Sequence, residues 1–120
     1  MKAGAVQPLH SLIKRSDFLA VQKTGQKCVA HGVIVQARPN DLGYIRIGYT
    51  VTKKTDASAV KRNRMKRRLR AAAADIIGAQ ARSSCDYVLI ARPATAIRPY
   101  DALCADLRWC LSKMAYLQER

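Results

Sequence analysis

Tyr44-Ile45-Arg46-Ile47-Gly48-Tyr49-Thr50-Val51-Thr52 alternates strictly, with Ile45, Ile47, Tyr49 and Val51 on one side and Tyr44, Arg46, Gly48, Thr50 and Thr52 on the other. A period of two is that of a strand with one apolar face and one small, polar and basic face. The period then changes. Between Ser58 and Ala81, residues Met65, Leu69, Ala72, Ala73 and Ile76 recur at three- and four-residue spacing, which predicts a long helix. Ser58 suits its N-cap, and Gly78 with the Ser83-Ser84 pair ends it. Tyr87-Val88-Leu89-Ile90-Ala91 is next a continuous apolar run, the pattern of a central strand covered on both faces, and Arg92-Pro93 closes it. Strand, helix and strand in that order frame an α/β domain.

Working outward, Arg15–Thr24 reads as a helix after a short irregular start. Ser16 and Asp17 can cap it, Phe18 and Val21 lie on one side, and Gly25 is a natural stop. From Lys27 to Arg38 the β-branched Val29, Val33, Ile34 and Val35 mark a strand that ends at the turn Pro39-Asn40-Asp41-Leu42-Gly43. A break near Ala30–Gly32 could divide it in two. The short turn predicts antiparallel pairing with residues 44–52. A last helix, Tyr100 to Gln118, starts after Pro99 and aligns Leu103, Leu107, Cys110, Leu111, Met114 and Leu117. The expectation is one two-layer α/β domain over residues 1–120, with 1–10 and 117–120 disordered.

Charge narrows the function. The 120 residues hold 22 Lys and Arg against 8 Asp and Glu, a net charge of +14. A compact body with that excess repels itself, which points to a polyanionic partner, nucleic acid ahead of anionic membrane. No apolar run approaches the roughly 20 residues that span a bilayer. Met1 to Lys14 lacks the apolar core of a signal peptide. The four cysteines, Cys28, Cys85, Cys104 and Cys110, include no CxxC pair. Free thiols in a reducing cytoplasm are therefore expected. His10 and His31 have no ligand-spaced companion beyond the isolated Cys28–His31 pair, so no metal site is expected.

Residues 61–70, Lys-Arg-Asn-Arg-Met-Lys-Arg-Arg-Leu-Arg, concentrate the charge: seven of ten are cationic, and no acid falls between Asp56 and Asp75. On a helix Arg62, Lys66 and Arg70 stack at i, i+4 and i+8, and Arg64 pairs with Arg68. Each like-charged pair costs a few tenths of a kcal/mol in a free helix. A solvated face would normally recover that loss with Glu. Met65, Leu69, Ala72 and Ala73 occupy the other side, so the helix docks by one face and presents guanidinium groups to phosphates. The other readings are an ordinary basic surface helix or one lying on lipid. Asn63 argues against both, because its amide adds hydrogen-bonding geometry without charge. Lys53 and Lys54 extend the basic surface, unless they are simply a solvated strand end.

Arg62-Asn63-Arg64, Met65-Lys66-Arg67 and Leu69-Arg70 resemble the signature of the bacterial ribonuclease P protein family. Lys14-Arg15-Ser16-Asp17-Phe18 is similar to that family's first-helix opening. Ile47-Gly48-Tyr49-Thr50-Val51-Thr52-Lys53-Lys54 is similar to its strand before a lysine pair, and Asp86-Tyr87-Val88-Leu89-Ile90-Ala91-Arg92-Pro93 to its late strand. The four blocks keep the family's order across roughly residues 9–115. The resemblance implies helix, three strands, helix, strand, helix around a four-stranded mixed sheet, with a left-handed βαβ crossover against the usual rule. It implies the protein subunit of a ribonucleoprotein that removes the 5′ leader of precursor tRNA, with catalysis carried by an RNA subunit and its Mg²⁺. It places Arg62, Asn63, Arg64, Lys66, Arg67 and Arg70 against the catalytic RNA, and Lys53 and Lys54 are expected to add to the RNA-binding surface. Phe18, with Arg15, Arg46, Thr50 and Thr52 of the polar face, would line a cleft for the single-stranded leader, where bases stack on aromatic rings. Phe18 could equally be core packing between helix and sheet. The protein alone is expected to be a monomer or weak dimer.

The chain departs from the family pattern at several points. Gln22 and Gln36 stand where relatives often carry further aromatics. Arg68 stands at a usually apolar position, where it either snorkels or adds a phosphate contact. Thr55-Asp56 replaces the usual Val-Gly. No protein catalytic residue is expected, since no paired carboxylates, nucleophile with base, or phosphate-cradling glycine loop occurs. The alternatives are a non-catalytic, ribosome-associated RNA-binding protein, or a binder of DNA or membrane surface.

Overall fold

A computed structural model describes residues 6–118. Five strands form one sheet: β1 (Leu9–Ser11), β2 (Gln26–Val29), β3 (Val33–Pro39), β4 (Ile45–Thr50) and β5 (Cys85–Ala91), in the order β1-β4-β5-β3-β2. Helix α1 (Arg15–Thr24) lies between β1 and β2 in the chain. Helix α2 (Ala59–Ala72) continues through a π turn (Ala73–Ile77) into a short α3 (Gly78–Gln80), and α4 (Tyr100–Lys113) closes the fold.

The apolar run of β5 explains the sheet order. Cys85, Tyr87, Leu89 and Ala91 face one side and Asp86, Val88 and Ile90 the other, nearly all of them buried. Such a strand needs neighbours on both edges. It pairs in parallel with β4 (Gly48 opposite Val88) and antiparallel with β3 (Gln36 opposite Val88). The expected direct pairing of residues 27–38 with 44–52 is therefore corrected: β5 sits between them, and the turn bridges two strand spacings. Gly43 takes φ +81° there, and Asn40 ties the turn down by donating to the Asp86 carboxylate at 2.8 Å. The break at residues 30–32 does divide the first strand, into β2 and β3, which pair with each other.

The expected count of four strands is corrected to five. Leu9–Ser11 pairs in parallel with Ile45–Ile47, so part of the start expected to be irregular and disordered is an edge strand. Three residues are too few to show a period. Leu117 likewise bridges to Ala81 instead of fraying. The expectation of disorder at 1–5 and 119–120 lies outside the described residues.

The main core forms where α2 and α4 cover the Ile45, Ile47, Tyr87, Leu89, Val33 and Val35 face; Met65, Leu69, Leu103, Leu107 and Leu111 fill it. A smaller cluster on the opposite face joins Leu12, Val21 and Val88, with Phe18 and Ile90 against it. The two-layer expectation thus describes the main core, and α1 adds a partial third layer.

Helix boundaries refine the reading. Ser58 caps α2 by accepting from the Lys61 amide at 3.3 Å. The π turn inserts one residue, so Ile77 is buried in the place expected of Ile76, which is only half-buried. The N-cap of α1 is Lys14 with no side-chain cap, not Ser16 or Asp17, because Asp17 turns to Arg46. Gly25 stops α1 by close approach: a Cβ there would lie 2.5 Å from the Val21 carbonyl oxygen and 2.7 Å from that of Ala37. Helix α4 ends at Lys113, short of Gln118. Ala115 takes φ +63° and the Tyr116 amide donates back to Leu111 at 2.7 Å, a helix stop made without glycine.

Candidate nucleic-acid interface

Two surfaces collect the residues singled out by sequence. The first is the outer side of α2. With Met65 and Leu69 buried against the sheet, Asn63, Arg64, Arg67 and Arg70 are exposed, and Arg62, Lys66 and Arg68 are half-buried. Among the described residues, the ion pairs are Arg38–Asp86, Arg46–Asp17, Arg46–Asp86 and Arg98–Asp106; none involves a cation of α2. The repulsion read from the sequence is therefore present in the folded protein without acidic relief. Lys53 and Lys54 are exposed in the turn before the helix. The positive end of the α2 dipole points toward the same region.

The cations differ in freedom. Arg62 Nη1 donates to the carbonyls of Asp56 and Ala57 at 2.9 and 2.8 Å, and Asp56 accepts from the Ser58 amide at 2.9 Å. Arg62 and Asp56 therefore fix the loop that launches the helix. The Arg70 guanidinium lies 5.6 Å from the Tyr49 ring centre, a cation–π contact that holds it at the sheet margin. Arg68 runs inward and donates to the Arg98 carbonyl, tying α2 to the segment before α4. Of the two readings of Arg68, the buried one describes its position. Among the described residues, Arg64 and Arg67 carry no such ties.

The second surface is a cavity of about 420 Å³ on the α1 side of the sheet. Its floor is Gln36, Val88, Ile90 and Thr50; its wall is Ile13 with Arg15, Phe18, Leu19 and Gln22 of α1. The register explains the floor: Gln36, Val88 and Gly48 lie side by side on adjacent strands. A Cβ at Gly48 would overlap the Phe18 ring, so the ring rests directly on the glycine. Phe18 is thus packed by one face and lines the cavity by another. Arg15, Phe18 and Thr50, expected at a cleft, come together here.

Arg46 and Thr52 do not line it. Arg46 lies one row along, held by Asp86 and Asp17. Thr52 sits beyond the end of β4, 3.2 Å from the Thr55 hydroxyl. Strand alternation assigns both to the cleft because it gives the face but not the row. Ile13 and Leu19 join the cavity without any sequence signal, and Gln22 and Gln36 join it at the two positions already noted as departing from the family's aromatics.

Known proteins match this chain in sequence and in fold. A family model described as Ribonuclease P matches residues 6–115. The chain is 43% identical over 116 residues to the Ribonuclease P protein component of Paramagnetospirillum magneticum, covering 92% of this chain and 86% of that one. To the component of Ruegeria pomeroyi it is 48% identical over 107 residues, covering 86% and 84%. The RNase P protein of Staphylococcus aureus superposes with a TM-score of 0.76 at 23% identity, over 91% of this chain and 98% of that one. That of Thermotoga maritima gives 0.71 at 26% identity, over 88% and 94%.

Proposed function

The chain belongs to the ribonuclease P protein family, and from that premise we propose that α2 binds the catalytic RNA while the α1 cavity receives the 5′ leader of precursor tRNA. The observation that carries this is the set of cations on α2 that has no acidic partner among the described residues and is fixed by a buried opposite face. Guanidinium groups held at helical spacing meet a phosphate backbone with little side-chain ordering left to lose. The cavity adds an aromatic ring, apolar floor residues and Arg15 at its margin, a combination suited to an unstacked base followed by its phosphate.

The protein's part is to hold and orient RNA. Thr50 borders the cavity and Lys53 follows three residues later, so a strand leaving the cavity meets the basic turn before α2. The reaction is endonucleolytic removal of the leader, with Mg²⁺ supplying water activation and charge neutralisation at the phosphate. Among the described residues no three His, Cys, Asp or Glu side chains converge to hold a metal. In this proposal Mg²⁺ is held mainly by the RNA subunit, a reading supported by the ion's preference for phosphate and water oxygens with few protein carboxylates. The location proposed is the cytoplasm: Cys28, Cys85, Cys104 and Cys110 are free thiols, and no described helix is long and apolar enough to cross a membrane.

Reconstitution tests the proposal. Protein alone should leave precursor tRNA intact; with the cognate RNA, at a Mg²⁺ concentration too low for the RNA by itself, it should restore cleavage. No stimulation at near-physiological salt would overturn it.

A further inference from the structure

Two thiols meet at the margin of the main core. Cys28 of β2 packs against that core and is half-buried, and Cys110 of α4 is fully buried. The Cys110 thiol donates to the Cys28 carbonyl at 3.6 Å. Burial pushes the Cys110 thiol up, and a hydrogen bond with the Cys28 thiol adds to the rise. The other two cysteines lie elsewhere. Leu89 is level with Cys28 across β3, and Cys85 lies four residues from Leu89, about 13 Å along β5. Cys104 precedes Cys110 by nearly two turns of α4, and its thiol hydrogen-bonds to Tyr100. The seam between β2 and α4 is latched on its own account. Asp106 of α4 accepts from the Gly32 amide at 2.9 Å and from Arg98 at 2.6 Å, and Arg92 donates to the Ala30 carbonyl at 2.6 Å. These bonds hold the two sulfurs side by side before any bond joins them.

We propose that Cys28 and Cys110 are a reversible oxidation site, where a peroxide converts the thiol pair into a disulfide that fastens the edge strand β2 to α4. The half-buried Cys28 reacts first. Its thiolate attacks one peroxide oxygen, the O–O bond breaks, and the sulfur becomes a sulfenic acid while hydroxide leaves and takes up a proton. The Cys110 sulfur then attacks the Cys28 sulfur. The S–O bond breaks, and the Cys110 proton departs with the hydroxyl as water. The two thiols together give up two electrons and two protons, and the peroxide is reduced to two waters. A half-buried cysteine without such a neighbour would proceed to the irreversible sulfinic acid. Neither residue borders the α1 cavity or belongs to α2, so the link leaves both proposed RNA-binding surfaces as they are.

The test treats the folded full-length chain with hydrogen peroxide, blocks the remaining thiols by alkylation and maps the digested peptides by mass. Wild type should lose two hydrogens and yield a cross-linked species joining the peptides of Cys28 and Cys110. It should also melt higher by on the order of 10 °C, and dithiothreitol should reverse both changes. Cys28→Ser should form no link and gain no stability on oxidation. Cys110→Ala should instead accumulate sulfinic acid at Cys28 that dithiothreitol does not remove; Cys28→Ser carries the comparison if Cys110→Ala folds poorly. Oxidised wild type, mixed with the cognate RNA, should stimulate cleavage of precursor tRNA as well as the reduced protein does. A link between any other pair of cysteines, or no link in wild type, overturns the proposal. Stimulation lost on oxidation of wild type but kept in oxidised Cys28→Ser overturns the claim that the link spares the RNA-binding surfaces.

Discussion

Arg46 and Asp86 meet in a two-pronged ion pair, Nε donating to Oδ1 at 2.9 Å and Nη2 to Oδ2 at 2.8 Å, while Arg46 Nη1 reaches on to Asp17 of α1 at 3.1 Å. Asp86 has no exposed side-chain surface, and Asn40 and Arg38 complete its surroundings. One guanidinium thus fastens the helix that walls the cavity to the central strand that floors it. Removing one member of a buried pair strands the other. Arg46→Ala should therefore cost about 3 kcal/mol in urea unfolding. It should also raise KM for precursor tRNA more than it weakens binding of the catalytic RNA. Equal effects on both RNAs would mean that Arg46 only stabilises the fold.

The same carboxylate predicts a pH dependence. Burial pushes the Asp86 carboxyl up, but hydrogen bonds from Arg46 and Asn40, with the charges of Arg46 and Arg38, outweigh it and hold the group below the usual carboxylate value. A pKa lowered by folding means that the native state holds the proton less tightly than the unfolded chain. The resulting stability is complete above the unfolded value near 4 and is lost as pH falls through the lower, native value. Melting temperature should accordingly fall with acid below about pH 4, and Asp86→Asn should flatten that limb while lowering stability at pH 7. An acid limb unchanged in Asp86→Asn would assign it to other carboxyls.

Gly48 offers a direct probe of the cavity. Because the Phe18 ring lies where a Cβ would go, Gly48→Ala must push the ring away from the sheet. Overpacking of this kind should cost roughly 1–3 kcal/mol and reshape the cavity. Paired with Phe18→Leu, the loss should be well under the sum of the two single effects, since both act on the same ring-to-glycine packing. Strict additivity in thermal unfolding would show that the ring does not rest on Gly48 in solution.

The division between what sequence shows and what it hides follows from range. Periodicity locates α1, the α2 segment, β4 and β5, because each signal is contained within one element. Order within the sheet is a long-range outcome: β5 enters between β3 and β4 only because both its faces and both its edges need cover. A three-residue edge strand has no period, and the π turn is silent until Ile77 rather than Ile76 is seen to be buried. At the site, Arg64 and Arg67 have no ion-pair or hydrogen-bond partner among the described residues, in line with the acid-free composition of residues 61–70. The roles of Arg46 and Arg62 are not legible in the same way. Arg46 serves acids 29 and 40 residues away in the chain, and Arg62 braces a loop whose shape no local pattern announces.

That difference among the cations yields the last prediction. Arg64 and Arg67 touch no acid or carbonyl among the described residues, so Arg64→Gln and Arg67→Gln should leave unfolding within about 0.5 kcal/mol of wild type. Each should weaken RNA binding at every salt concentration and reduce the slope of log K against log salt by about one for each phosphate no longer neutralised. Arg62→Gln should behave differently. It releases the Asp56 and Ala57 carbonyls, so it should lower stability by about 1 kcal/mol as well as RNA affinity. Circular dichroism melts combined with filter binding at several salt concentrations separate the two patterns. If Arg64→Gln and Arg67→Gln both leave the slope at the wild-type value, the outer side of α2 faces solvent, and the RNA lies elsewhere.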